Sequence, residues 1–411
     1  DGRPGGARAV LKFHNLAGMN LQGVDLSHCD FTGSSFVDAD LRSVRFDCAS
    51  LYGCDLRHAQ IENASFIRAD LRGAGFTGAD LTQCDMTGAD LRAAQRIKRH
   101  ARALSEAQLE DGEDAEVATS MAGARLVNTN MSDIKAHNAN FADADLRGVS
   151  LRGGDLRGTN FTGANLMESD LSNSDMRQAK IMNAILAGSM MEMVETGGAD
   201  FTGSITDENL ASSLQELKTD LAEILEEHTL WISTAGREGK KLDLSGYDLR
   251  HVQKLNAYML TAVTARKASF LGQDMHGMQF QKADLQYSDF RDCDLRDSDF
   301  RAADLEGALL SRANLSRARL GPLFVKGPDG QQVTLPVSLK NANLRYASLV
   351  GTSFYGCSLV NADLSYSDLR EADLRGAKLN GARLEQADLS DAVLDEEQKA
   401  SLKEANIYRR P

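Results

Sequence analysis

The chain has 411 residues, with 46 Lys and Arg against 59 Asp and Glu and a formal net charge of -13 at pH 7. This acidity disfavours nucleic acid and anionic membrane surfaces as default partners, and no apolar run approaches the length of a membrane span. No signal-peptide pattern opens the chain, so the expected setting is the bacterial cytoplasm, and the start at Asp1-Gly2-Arg3 in place of Met reads as processed or truncated.

From Leu16 to Leu91 an apolar residue returns at every fifth position, through Leu21, Leu26, Phe31, Phe36, Leu41 and Phe46 to Phe66, Leu71 and Phe76. A small residue, usually Ala, stands two positions before it and usually Asp or Asn one before, as in Ala39-Asp40-Leu41 and Ala69-Asp70-Leu71. This period matches neither the helical repeat of about 3.6 nor the strand repeat of about 2. It requires a solenoid whose coil turns a corner once per repeat, and it moves the functional question from a cleft to a surface.

An insert at 96–120 keeps the phase of the repeat. It runs basic (Arg96, Lys98, Arg99, Arg102) and then acidic (Glu106, Glu110, Asp111, Glu113, Asp114, Glu116), which reads as a short helix with an acidic loop. The basic cluster is a candidate contact for an anionic partner, with a plain solvated excursion as the alternative. The repeat resumes by Leu126 and runs to Phe201, so an N-terminal β-helix is expected over 11–204.

Residues 206–228 carry Leu210, Leu214, Leu217, Leu221 and Ile224 at steps of four and three, the spacing of an amphipathic helix. A solenoid exposes unpaired strand edges at its ends. The segment 205–241 is therefore expected to cap and link, with Trp231 packing the helix onto the barrel; a dimer seam is the rival reading. The repeat restarts at Leu244 and Leu249, slips by one residue to Leu255 and continues to Leu394, a second β-helix over 242–394. Within it, 321–338 reads as a hairpin: Leu323-Phe324-Val325, the turn Gly327-Pro328-Asp329-Gly330, then Val333-Thr334-Leu335. Leu323, Phe324, Val325 and Asp329 make it a candidate contact arm, unless it folds flat on its own block. A short helix from Asp395 is expected to cap the end over 395–411.

The motif in Ala89-Asp90-Leu91, Ala144-Asp145-Leu146, Ala342-Asn343-Leu344 and Ala372-Asp373-Leu374 resembles that of the pentapeptide-repeat family. The resemblance implies an all-β solenoid: a right-handed, four-sided β-helix with one repeat per face, here in two barrels with a linking helix and a C-terminal capping helix. Residues four repeats apart then stack inward, Phe46 on Phe66, Phe141 on Phe161, Phe270 on Phe290 and Phe280 on Phe300. Outward Asp and Arg are expected as interleaved columns that relieve like-charge repulsion, each exposed pair contributing about 0–1 kcal/mol.

No nucleophile–base pair or cofactor loop is legible. Cys29, Cys54, Cys84, Cys293 and Cys357 occupy the small slot and read as slightly larger alanines, and the histidines lack ligand spacing. No catalysis, metal or cofactor is expected. The leading reading is a non-catalytic scaffold for protein partners of unknown identity, without direct nucleic-acid binding, and with a homodimer through barrel ends or capping helices as a candidate assembly. The family resemblance implies an alternative, a duplex-mimicking binder of DNA gyrase or another topoisomerase. Two features weigh against it: the linking helix concentrates much of the acidity, and the chain is interrupted and doubled.

Overall fold

The structure, a computed structural model, describes residues 8–95, 116–206, 212–213, 221–250, 252, 255–326, 329–396 and 398–399. The chain divides into two compact units, Asp1–Asn209 and Leu210–Pro411.

In unit 1 the residue before each core residue forms a parallel bridge to its equivalent one coil on: Val10 to Asp30, Asn15 to Ser35, Asn20 to Asp40 and Asp25 to Arg45. Four repeats therefore close one coil. Asp40 N–H donates to Met19 O at 2.9 Å, and Leu41 N–H to Gln60 O at 2.7 Å, so each coil is bonded on both sides. Each corner is a tight turn. Ala39 N–H donates to Phe36 O at 3.0 Å, and Asp38 before it is left-handed with φ 57°, the sign that a type II turn demands at its third residue. Asn and Asp tolerate that conformation, but Arg68 (φ 55°) and Tyr287 (φ 59°) hold it too. The ladder offsets a local cost of about 1–2 kcal/mol at such residues.

The interior is a set of aligned rows. Phe46 stacks on Phe66 and Phe141 on Phe161, each at 5.3 Å between ring centres. In unit 2, Phe270 stacks on Phe290 at 4.7 Å and Phe280 on Phe300 at 4.9 Å. Rings two repeats apart, on opposite faces, also meet edge-on, as Phe66 and Phe76 do at 6.3 Å. All these rings are fully buried, each stabilising by about 1.5–3 kcal/mol.

The solenoid of unit 1 continues across the insert, because Gly75 bridges Ser120 and Asp90 bridges Lys135. The insert leaves and returns through a short antiparallel pair, β1 (Ala94–Gln95) and β2 (Glu116–Val117). The helix and acidic loop expected between them, with Arg96, Lys98, Arg99 and Arg102, lie outside the described residues.

Unit 2 begins differently from the expected helix at 206–228. Ser212–Ser213 is a strand, β3, pairing in parallel with β4 (Tyr247–Asp248). The helix α1 covers Leu221–Ser233 and runs past the expected end. The open edge at β4 offers backbone partners that the local helical periodicity cannot match, and Ser has little helix propensity to resist. α1 ends in a Schellman turn: Gly236 N–H donates to Trp231 O at 2.8 Å and Ala235 N–H to Ile232 O at 3.1 Å. Leu225 and His228 of α1 are buried, and Leu221 and Ile224 pack on the core of this unit. Leu210, Leu214 and Leu217 lie outside the described residues.

The slip before Leu255 is taken up by a 3-10 turn at Leu255–Ala257, after which Asp284 bridges Asp304 and Asp289 bridges Leu309 in the regular register. The hairpin segment leaves the coil after Leu320 and rejoins it at Val337, which is buried in the core, and Ser338, which bridges Asp304. It carries β5 (Leu323–Lys326) paired antiparallel with β6 (Gln332–Leu335).

At the last described coil two side chains bond its backbone edge. Gln398 Nε2 donates to Leu374 O at 2.8 Å and Ala377 O at 2.9 Å, while Gly376 N–H donates to Asp395 Oδ2 at 2.6 Å. Asp395 N–H in turn donates to Gln398 Oε1 at 2.9 Å, the reciprocal bond of a capping box. Beyond Lys399 the expected C-terminal helix lies outside the described residues.

Two outcomes follow from this packing. Ala69, fully enclosed in the small slot, should not accept a larger side chain: Ala69→Leu is expected to lower stability by about 1–3 kcal/mol in urea unfolding, and an unchanged midpoint would mean that the interior has room. Gln398→Ala should orphan the Ala377 carbonyl at about 1 kcal/mol, whereas Leu374 O keeps the Ala377 N–H of its own turn. Amide exchange should then quicken over 374–394 and not over 265–320.

Candidate interaction surfaces

Period-2 geometry puts the residue before and the residue after each core position on the same outward face. Asp and Arg at those two positions meet within one repeat. Arg57 Nε and Nη2 donate to the two oxygens of Asp55 at 2.9 and 2.7 Å, and Arg147 binds Asp145 in the same fork at 2.8 and 2.7 Å. The same fork joins Arg157 to Asp155, Arg301 to Asp299 and Arg375 to Asp373. The expected interleaving between coils stands beside this fork: Arg125 reaches Asp80 at 3.2 Å, Arg266 reaches Asp284 at 2.6 Å and Arg317 reaches Asp297 at 2.8 Å, each one coil away. Where no Arg follows, a hydroxyl takes its place, Thr202 Oγ1 donating to Asp200 at 2.6 Å.

The hydrogen bonds from Arg177 hold the Asp175 carboxyl below its ordinary value and raise Arg177. Asp294 and Asp373 are lowered in the same way by Arg296 and Arg375. A carboxylate whose pKa is depressed by folding contributes stability above its unfolded value, and that contribution is lost as pH falls through the folded one. Unfolding midpoints are therefore expected to hold from neutral pH down to about pH 4 as far as these carboxylates decide, and to fall below it. Arg296→Gln should flatten part of that acid limb.

The hairpin is two-faced. Phe324 lies opposite Thr334 and is 54% exposed, whereas Leu323, Val325, Val333 and Leu335 are half-buried on the other face. Leu323, Phe324 and Val325 thus share a strand but not a surface, and Asp329 is exposed in the turn. The sheet contains these two strands alone among the described residues.

The opening coil of unit 1 carries His14, Met19 and Val24 in the slot that holds Ala deeper in the barrel, and all three are exposed. Leu11, Leu16, Leu21 and Leu26 beneath them are only half-buried. That departure in residue size was visible in the sequence; the exposure that goes with it required the fold. Trp231, expected to pack against the barrel, stacks on His228 of its own helix at 5.8 Å.

The buried thiols are inert, burial pushing Cys54 and Cys84 up to about 12. Cys48 is exposed. Among the described residues no cluster of His, Cys, Asp or Glu is placed to hold a metal ion, and no helix is long and apolar enough to cross a membrane.

A family model for pentapeptide repeats matches the chain in eight copies, at residues 15–47, 49–88, 118–153, 155–188, 260–297, 298–320, 338–376 and 367–396. The chain belongs to the pentapeptide-repeat family. Members form right-handed β-helices, and the family is one of repeats with no enzymatic family indicated. Among solved pentapeptide-repeat structures the chain is similar to HetL, involved in heterocyst differentiation regulation in the cyanobacterium Nostoc sp. strain PCC 7120, at 19% identity over 83% of this chain and 91% of HetL, with a TM-score of 0.18. It is also similar to full-length QnrB1, a plasmid-mediated fluoroquinolone resistance protein, at 17% identity over 56% of this chain and 100% of QnrB1, with a TM-score of 0.26. Rfr23 from the cyanobacterium Cyanothece 51142 matches at 22% identity over 31% of this chain and 91% of Rfr23, with a TM-score of 0.22. Scores this low carry no functional argument. A search of curated proteins finds no match.

Proposed function

We propose that this pentapeptide-repeat protein is a non-catalytic scaffold of the bacterial cytoplasm that binds protein partners through the breaks in its repeat. The observation that carries this reading is the contrast between the repeat faces and the hairpin. The faces spend their Arg and Asp side chains on one another, and such exposed pairs are weak handles for a partner. The hairpin instead leaves the coil with Phe324 half exposed and both strand edges unpaired among the described residues, a place where a partner strand can add. In this reading 205–241 links and caps, 395–411 caps the far end, and the barrels span 11–204 and 242–394. The uncovered opening coil of unit 1 is the candidate contact for a second copy.

Duplex mimicry of the kind that binds gyrase requires rows of uncompensated negative charge. The forked Asp–Arg pairs on both units argue against it.

Deleting 322–335, which keeps Val337 and the register of Leu339, or changing Phe324 to Ser, should leave the β spectrum intact and remove a partner recovered by the full chain from a bacterial lysate. Retention of every partner by both variants would clear the hairpin of this role. Pure protein should not inhibit gyrase supercoiling; inhibition that disappears when Asp residues along one face are reversed to Lys would replace the scaffold reading with mimicry.

A further inference from the structure

The first coil of a solenoid has no predecessor, so backbone groups that interior coils satisfy automatically are left over there. In unit 1, Ala39 N–H is met by Phe36 O of its own turn, and Thr32 O by Phe13 N–H of the preceding coil at 3.0 Å. The equivalent groups in the opening coil of unit 2 are Leu242 N–H and Thr261 O. One side chain meets both. His228 of α1 is fully buried; Leu242 N–H donates to its Nδ1 at 3.0 Å, and its Nε2 lies 3.0 Å from Thr261 O.

These contacts specify one protonation state. Nε2 must carry a hydrogen to donate to the carbonyl, and Nδ1 must keep its lone pair to accept from Leu242. An imidazolium would set a second N–H against Leu242 N–H. The charged group that bears on the ring from the adjoining loop is Lys241, itself a cation. Lys240 is tied by its backbone to Glu227 O, and the α1 carboxylates Glu223, Glu226 and Glu227 are exposed. The opening coil presents the ring with the Thr261 carbonyl.

Beneath this junction lie Leu244, Leu249, Leu255 and Leu260, the core residues of the opening coil, all buried and in one cluster with Leu225 of α1. We propose that His228 is an acid-released latch, whose protonation frees α1 from the opening coil and uncovers this leucine ring. Burial first, and Lys241 in addition, hold the latched ring below the ordinary value of 6.5. The latch is therefore complete above about pH 6.5 and weakens as pH falls below it, because the released ring binds a proton that the latched ring refuses. At the closing end of the unit the Gln398 amide, which does not titrate, bonds the edge carbonyls. Release in this range is thus confined to the opening end.

The test uses the full chain, whose single tryptophan is Trp231, stacked on the His228 ring. From about pH 7.5 to about pH 5, tryptophan emission should change and binding of an apolar dye should rise several-fold, while the far-ultraviolet β signal stays constant. His228→Phe, which keeps a ring without a titrating nitrogen, should give a flat profile. A flat profile in the native chain, or the same transition in His228→Phe, overturns the latch. Should the variant lose its β signal at neutral pH, the imidazole nitrogen shifts of the native chain decide. Titration of His228 together with Trp231 emission supports the latch, and titration without it overturns the proposal.

Discussion

Everything in this protein depends on a backbone ladder closed once every four repeats. Each coil donates to the next through the core residue and accepts from the one before through the residue preceding it, as Leu41 and Asp40 do. Closure forces a corner after every core residue, and the corner forces a left-handed residue. The chain therefore keeps Arg68 and Tyr287 in a conformation that they would avoid in isolation. The same closure makes the interior narrow, so that a smaller residue, most often Ala, alternates with Leu or Phe, and it aligns Phe270 over Phe290.

A ladder of this kind is stable along its length and vulnerable at its ends, where a whole rank of backbone groups is unmet. Unit 2 resolves both ends with side chains that stand in for main-chain groups. His228 serves the opening coil, and Gln398 with Asp395 serves the closing one. The substitution is local: His228 meets Leu242 N–H and Thr261 O, Gln398 meets Ala377 O and Asp395 meets Gly376 N–H. Unit 1 opens on bulky residues in the small slot, with Met19 and Val24 exposed above half-buried leucines. The two units thus meet one physical problem in different ways.

The repeat also shapes what the surface can do. An Asp and an Arg flanking the same core residue lie side by side and offset one another's charge. Chemical distinctiveness is left to the interruptions, of which the hairpin is the described example.

The five-residue period by itself determined the solenoid, the inward rows of Phe46, Phe66, Phe141 and Phe161, the buried cysteines and the position of the hairpin, because a period that fits neither helix nor flat strand leaves one regular solution. It also exposed the interruptions, which are breaks in that same period. Only the tertiary structure decided how the charges pair, since Asp55 and Arg57 could have reached within or between coils. It decided too that Ser212–Ser213 pairs as a strand although it lies in a helical pattern, because the edge at Tyr247–Asp248 is created by folding. The role of His228 is the clearest case. In sequence it is the last residue of an expected acidic helix; its meaning comes from Leu242 and Thr261, brought to its two ring nitrogens by the closing of a coil.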